Sequence, residues 1–266
     1  MKSLVTIFIL LFTFINNSLA FSLERKELEL LHHKNYKIEQ GKILNVHAEG
    51  GDVEITPWHR NEVEIKIYGN DNAREKYEFR FDADDQFVTV RGERIKKWNF
   101  FSNIRIKYVI KVPVKFNLNV NTAGGDIKCG GVQGEIKLNT SGGDIWADRV
   151  SGNLNLNTSG GDIKIYSNDA SIIASTSGGD IDLEYSGENK GIELKTSGGD
   201  IEILLPAGFD ADVELSTSGG DVDCNFKLNN VEKLSRTKVI AKINNGGNKL
   251  TAKTSGGDIK VKHWKN

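Results

Sequence analysis

Gly-Gly-Asp occurs eight times in this chain, ending at Asp52, Asp126, Asp144, Asp162, Asp180, Asp200, Asp221 and Asp258. From Asp126 onward the steps are 18, 18, 18, 20, 21 and 37 residues. Self-similarity at a nearly fixed short period means a stack of small supersecondary units, none of which can bury its apolar side alone.

Alignment on the Asp makes the unit visible. One residue after it stand Val53, Ile127, Ile145, Ile163, Ile181, Ile201, Val222 and Ile259. Three after it stand Ile55, Cys129, Ala147, Ile165, Leu183, Ile203, Cys224 and Val261, with mostly polar residues between the two columns. Apolar columns recur eight and six residues before the Asp, from Leu44 and Val46 to Leu250 and Ala252. Strict alternation is the mark of a strand with one buried face. Each repeat therefore predicts two short strands joined by a Ser-Gly-Gly-Asp corner. Gly-Gly is expected to supply unusual backbone angles, and Asp to fix the corner by bonding the backbone two residues on. Thr, four before the Asp in seven copies, fits inside the bend. The fold expected is all-β: a two-sheet β-solenoid of about eight short coils.

The 74-residue step from Asp52 to Asp126 holds something different. Residues 63–68, 77–81, 87–90 and 104–112 alternate well, with a turn at 69–72, and predict a β-meander inserted after the first coil. Residues 24–33 predict a short helix. Lys238–Ile243 followed by Asn244-Asn245-Gly246-Gly247 predicts a final hairpin. Bare terminal strands invite edge-to-edge pairing, so meander and hairpin are expected to cap the stack. The resulting division is a leader at 1–20, an N-terminal segment at 21–35, a first coil plus meander at 36–112, and a repeat solenoid with its hairpin cap at 113–266.

The leader is read from Lys2, an apolar run over residues 4–15, and Ser18-Leu19-Ala20, the pattern of a secretory signal peptide cleaved after Ala20. The apolar run is too short to span a bilayer as a helix, and no later segment could. The chain is thus expected to be exported, to the periplasm, the cell surface or the medium. Its formal charge is −1, and the leader carries only Lys2, so no basic field exists to hold nucleic acid.

The repeats, the opening run from Gly41 to Ile55, Val112-Pro113, and Asn244-Asn245-Gly246-Gly247 before the last Thr-Ser-Gly-Gly-Asp-Ile resemble the bacterial domain family labelled "putative adhesin". The resemblance covers roughly residues 36–263. It implies a β-solenoid at the envelope or cell surface, and it carries no set of catalytic residues.

The residues themselves point the same way. The Asp column supplies one acid per coil, whereas hard cations need several converging oxygens, so these Asp are read as turn residues and no metal is expected. Cys129 and Cys224 fall in one inward column five coils apart, about 24 Å at ~4.8 Å per coil, too far for a disulfide. Both are read as buried free thiols. No His-Glu-x-x-His, no Gly-x-Ser-x-Gly and no helix-opening glycine loop occurs, so neither an enzyme nor a cofactor is expected.

Three surface features remain as candidate binding residues. Trp146 stands in the outward row Lys128, Trp146, Lys164, Asp182, Glu202, Asp223, Lys260. Trp98, Phe100 and Phe101 lie in a basic loop that either touches a ligand or closes the solenoid. Asn119, Asn121, Asn139, Asn155 and Asn157 crowd one outward face, although Asn is disfavoured in strands. Stacked amides bonding along the coil axis explain such a face, as do amides matched to the hydroxyls of an extended polysaccharide. The expected function is an exported, non-catalytic scaffold binding a glycan or protein. The alternatives are a polysaccharide-cleaving β-helix and a self-assembling structural element.

Overall fold

A computed structural model describes residues 27–95 and 103–264. The expected leader at 1–20 lies outside the described residues.

The repeats stack as a two-sheet β-solenoid. Strands that precede each corner form one sheet, here sheet 1, and strands that follow it form sheet 2. Neighbouring coils pair in parallel with like columns in register: Leu44, Leu118, Ile136, Leu154 and Ile172 run through sheet 1, and Val53, Ile127, Ile145, Ile163 and Ile181 through sheet 2. These columns are almost wholly buried and form one continuous core between the sheets. Full burial of an aliphatic side chain contributes roughly 1.5–3 kcal/mol, which is why a unit too small to fold alone is stable in a stack. One strand, Ile145–Asn157, bends through the far corner and serves both sheets.

Three kinds of bond hold each Thr-Ser-Gly-Gly-Asp corner, illustrated by the Asp162 coil. Thr158 Oγ1 donates to the Gly143 carbonyl of the preceding coil at 2.8 Å. It also accepts the Gly161 N–H of its own coil at 3.3 Å. The Asp162 N–H donates to Oδ1 of Asp144 at 2.8 Å. The Asp carboxylates therefore serve the neighbouring coil, not the turn two residues on that the sequence suggests. The glycines also act differently from expectation. Of the sixteen in the corners only Gly51 takes a left-handed backbone, with φ 105°. The second glycine is required by close stacking, since a Cβ on Gly161 would lie 2.1 Å from the Gly143 oxygen.

The coils do not stack in chain order. Lys249–Lys253 pairs with Ile192–Lys195 on one side and with Ala211–Ser216 on the other. Ile259–His263 likewise sits between Ile201–Leu205 and Val222–Cys224. The last coil of the sequence is thus wedged between the Asp200 and Asp221 coils. The expected hairpin turn at Asn244-Asn245-Gly246-Gly247 is corrected: it joins Lys238–Ile243 to Lys249–Lys253, which lie on opposite sides of Ala211–Ser216. The hairpin is instead Leu228–Leu234 with Lys238–Ile243, antiparallel on the outside of Ala211–Ser216, where it ends sheet 1.

The other end is built from the segment after the first coil. Phe87–Arg94 and Ile106–Pro113 pair in parallel with Ile43–Ala48 and Asp52–Trp58, forming a further coil without Gly-Gly-Asp outside the Asp52 coil. Tyr77–Ala83 adds antiparallel to sheet 1 and Glu62–Gly69 to sheet 2. Two local expectations are corrected here. The helix expected over residues 24–33 does not form in their described part, 27–33: Glu29–Lys37 is an edge strand antiparallel to Glu62–Gly69, with Leu31 and Tyr36 packed on the core. Edge pairing outweighs the helical propensity of its Leu-Glu run. Residues 69–72 are not a simple turn, because Asn70 caps a short helix, Asp71–Lys76, by accepting the Ala73 N–H at 3.1 Å. No helix among the described residues is long and apolar enough to cross a membrane.

Candidate functional site

The outward row of sheet 2 begins Glu54, Lys128, Trp146, Lys164, Asp182, each one coil from the next. Register alone brings these five together from positions 54 to 182. Trp146 is 44% exposed, one of a small set of large apolar side chains left at the surface, with Tyr166 of the next coil another aromatic among them. The Lys128 and Lys164 amines lie 5.5 and 5.9 Å from the indole centroid. A Lys at that distance is held by the negative face of the ring.

A cleft of about 650 Å³ opens beside Trp146, bounded by Glu54, Pro57, Lys128, Gly131, Asp148 and Arg149. Its shape comes from the far corner of the coils. Gly131 turns with φ 70°, and a Cβ there would meet Pro57 at 2.9 Å. One coil on, Arg149 takes φ 50° at a register slip between Asp148 and Val150. A left-handed non-glycine residue costs of order 1–2 kcal/mol. The bulge throws the Arg149 side chain outward, 81% exposed, where it pairs with Asp148 at 2.7 Å. Glu54 pairs with Lys107 at 2.7 Å, and Lys164 lies 3.6 Å from Asp182. No carboxylate lies within 4.0 Å of Lys128 among the described residues.

The asparagines form a second constellation on sheet 1. Asn121, Asn139 and Asn157 occupy one row in successive coils. Asn139 Nδ2 donates to Asn121 Oδ1, and Asn157 Nδ2 to Asn139 Oδ1, both at 3.0 Å. Asn157 Nδ2 also reaches Asn155 Oδ1 at 2.7 Å, and Asn121 Nδ2 reaches Asn119 Oδ1 at 3.2 Å. Asn119 Nδ2 donates in turn to Asn45 Oδ1 at 3.4 Å, and Ser175 Oγ ends the chain on Asn157 Oδ1 at 2.7 Å. All five expected asparagines are thus joined by amide–amide bonds. A cleft of about 440 Å³ flanks this face, lined in part by His47, Glu93, Asn121 and Asn139. Burial, and next the nearby Arg91, hold the His47 imidazole below its ordinary value, so it favours the neutral form.

Trp98, Phe100 and Phe101 lie outside the described residues. Asp126, Asp144, Asp162, Asp180, Asp200 and Asp258, with Asp52 at the start, each accept the backbone N–H of the next coil's Asp, over distances of 2.7–3.1 Å. Asp221 has no further coil and takes the Arg236 guanidinium instead. No three His, Cys, Asp or Glu side chains converge as a metal site among the described residues.

The cysteines require two corrections. Cys129 is buried, and burial pushes its thiol up to about 12, whereas Cys224 on the terminal strand is only partly covered. They are six coils apart, not five, because the Asp258 coil intervenes.

Reading the sequence misses Arg149 and Pro57 as cleft residues and Arg236 as the ladder's end. Pro57 had a weak signal, falling opposite Gly131 once the coils are aligned. Arg149 and Arg236 had none.

The arrangement offers an exposed aromatic with two amines, on a flat and regular face. Several solved structures are similar at low identity. A "putative cell adhesion protein" from Clostridium sporogenes is 15% identical, over 89% of this chain and 100% of that one, with a TM-score of 0.34. A "putative adhesin" from Bacteroides fragilis is 12% identical over 90% and 98%, at 0.32. A "putative lipid binding protein" from Parabacteroides distasonis is 13% identical over 88% and 96%, at 0.27. No curated protein matches. The Toastrack DUF4097 family matches twice, over residues 42–153 and 115–262, and the two overlapping matches together span the solenoid from first coil to last. The chain belongs to the Toastrack DUF4097 family.

Proposed function

We propose that this protein is an exported, non-catalytic surface or envelope scaffold that binds a glycan on sheet 2, at Trp146. The observation that carries this reading is the indole itself, 44% exposed at the rim of the 650 Å³ cleft with the Lys128 and Lys164 amines against it. An exposed ring presents a flat apolar surface to the C–H face of a sugar, and the surrounding Glu54, Lys128 and Arg149 supply polar groups for its hydroxyls. The leader pattern at 1–20 supports export, and the quoted names of the similar structures agree with a surface role. Binding is favoured over bond cleavage because the cleft's carboxylates, Glu54 and Asp148, are each ion-paired with a base.

The test is a glycan array with residues 21–266 and with the Trp146→Ala variant. Retention of a defined glycan by the parent and its loss in a variant of unchanged melting temperature is the expected result. Retention that ignores Trp146 would move the site elsewhere, and absence of any retention would overturn the reading.

A further inference from the structure

The chemistry around Trp146 narrows the ligand further, given that the cleft is the binding site as proposed above. Lys128 is the decisive residue. Its register neighbours are Glu54 on one side and Trp146 on the other. Glu54 could have paired with it across the strands, as opposite charges at adjacent positions do. Instead Glu54 is held by Lys107 at 2.7 Å, and the Lys128 amine lies over the indole. Lys164, on the opposite neighbouring coil, also reaches the indole and approaches Asp182 only to 3.6 Å. Arg149 projects from its bulge at the cleft rim. Asp148 is the one acid beside it and is already bonded to it. Positive charge is thus left over around one exposed aromatic, on a protein whose formal net charge is −1.

We infer that the Trp146 site takes an anionic glycan, a polymer of carboxylated sugars. Its apolar ring face takes the place of the two ammoniums of Lys128 and Lys164 on the indole, and these swing outward to meet its carboxylates. These two amines arise two coils apart, roughly 9.6 Å at ~4.8 Å per coil, which is about the length of a disaccharide along an extended chain. A ligand running along the solenoid axis can therefore present one carboxylate to each lysine and stack the sugar between them on Trp146. Ammonium–carboxylate bonds are the stronger, charge-assisted kind, and the indole beneath them keeps water from one side. The row turns acidic beyond Lys164, with Asp182 and Glu202 in the next two coils, so the anionic chain is confined to the first half of the face.

Calorimetry on residues 21–266 tests this with hexamers of galacturonate, mannuronate and guluronate, and with the methyl ester of each hexamer, which keeps the backbone and removes the charge. At least one acid hexamer is expected to bind, its ester at least tenfold more weakly. Lys128→Gln with Lys164→Gln should also weaken the acid hexamer about tenfold or more, as should raising the salt from 50 to 500 mM. Both lysines are surface residues, and an unchanged melting temperature shows that the variant folds. An ester that binds as tightly as its acid, or lysine changes without effect where Trp146→Ala abolishes binding, overturns the anionic assignment and leaves the glycan site standing. Binding of an acid hexamer that survives both Trp146→Ala and the lysine changes overturns the site as well. Failure of all three acid hexamers to bind, where the array retains a neutral glycan through Trp146, likewise overturns the anionic assignment alone.

Discussion

The backbone N–H of Asp258 donates to Oδ1 of Asp200 at 2.7 Å across 58 residues of chain. On the other side of the Asp258 coil, Asp221 donates its N–H to Oδ1 of Asp258 at 2.9 Å. Thr254 and Thr217 repeat the same order through the Gly199 and Gly257 carbonyls. All three coils carry the same Thr-Ser-Gly-Gly-Asp corner, so the corner chemistry permits either order. Side chains outside the corner select it. Asn189 Nδ2 donates to the Asn248 carbonyl and Asn248 Nδ2 to the Asn189 carbonyl, both at 2.7 Å, which ties the start of the last coil to its partner. Arg236 in the hairpin covers the carboxylate of Asp221 and so terminates the ladder there.

This order can be tested by cross-linking. Glu193 pairs in register with Thr251, and Thr251 with Glu214. With Cys129→Ala and Cys224→Ala as background, Glu193→Cys with Thr251→Cys should oxidise to a disulfide, since adjacent strands are ~4.8 Å apart. Glu193→Cys with Glu214→Cys should not, being two coils and about 9.6 Å apart. The opposite result, read by gel shift and peptide mass, would restore stacking in chain order.

The two glycines of a corner are predicted to differ sharply. A Cβ on Gly161 would lie 2.1 Å from the Gly143 oxygen and 2.6 Å from Asp144 Oδ1, whereas on Gly160 its nearest neighbour lies at 3.7 Å. Gly161→Ala forces the coils apart and should cost about 2–3 kcal/mol. Gly160→Ala should change stability by no more than about 0.5 kcal/mol, the range of an ordinary surface substitution. Urea unfolding of both variants checks the contrast. Equal effects would mean that backbone angle, not stacking distance, places the glycines.

How far the sequence discloses this molecule follows from where its information lies. The inward columns and the Thr-Ser-Gly-Gly-Asp corner are legible because each coil repeats the same local chemistry, and Leu138 or Ile145 shows its burial in its own alternation. Coil order is not legible, because Asp200, Asp221 and Asp258 stand in equivalent corners and the selecting pair, Asn189 with Asn248, lies outside the repeat. Residues 24–33 read as helix because the partner of the Glu29–Lys37 strand, Glu62–Gly69, is supplied by tertiary structure and not by the local pattern. The Trp146 row is visible by alignment, but the cleft beside it depends on the Arg149 bulge, which no local motif announces.

Acid should loosen the carboxylate ladder at its distal end. The backbone N–H of Asp221 holds the Asp258 carboxyl below its ordinary value of 3.8, against the opposing effect of burial. The folded form therefore binds its proton less readily than the unfolded chain. The stabilisation is complete above the unfolded value and is lost as the pH falls through the lower, folded one. Melting temperature should be level in this respect from about pH 8 to 5 and should drop below about pH 4. Asp258→Asn keeps the acceptor oxygen and removes the titration, so its acid limb should be shallower. A calcium chelator at neutral pH should leave the melting temperature unchanged, because a ligand of the native state would have to raise it. A fall of many degrees with chelator would give the Asp column an ion.

The asparagine ladder separates structure from binding. Asn157 has both ends of its amide engaged: Nδ2 donates to Asn139 and Asn155, and Oδ1 accepts from Ser175. Asn139 passes the chain on to Asn121. Thr at these two positions keeps the strand, since Thr favours it, but cannot span to the next coil with both a donor and an acceptor. Three amide–amide bonds and the Ser175 bond are lost from a partly covered face, each worth the lower part of about 0.5–1.5 kcal/mol net. Improved strand propensity offsets part of this, by at most ~1 kcal/mol. Asn139→Thr with Asn157→Thr should therefore lower stability by about 1–2 kcal/mol, measured by urea unfolding. If the amides are spent on one another, glycan retention in the folded fraction should match the parent, because the Trp146 row lies on the other sheet. Abolished retention with an unmoved unfolding midpoint would reverse this assignment. It would make the amide lattice of sheet 1 the sugar-binding surface, with the 440 Å³ cleft lined by Asn121 and Asn139 as its deepest point.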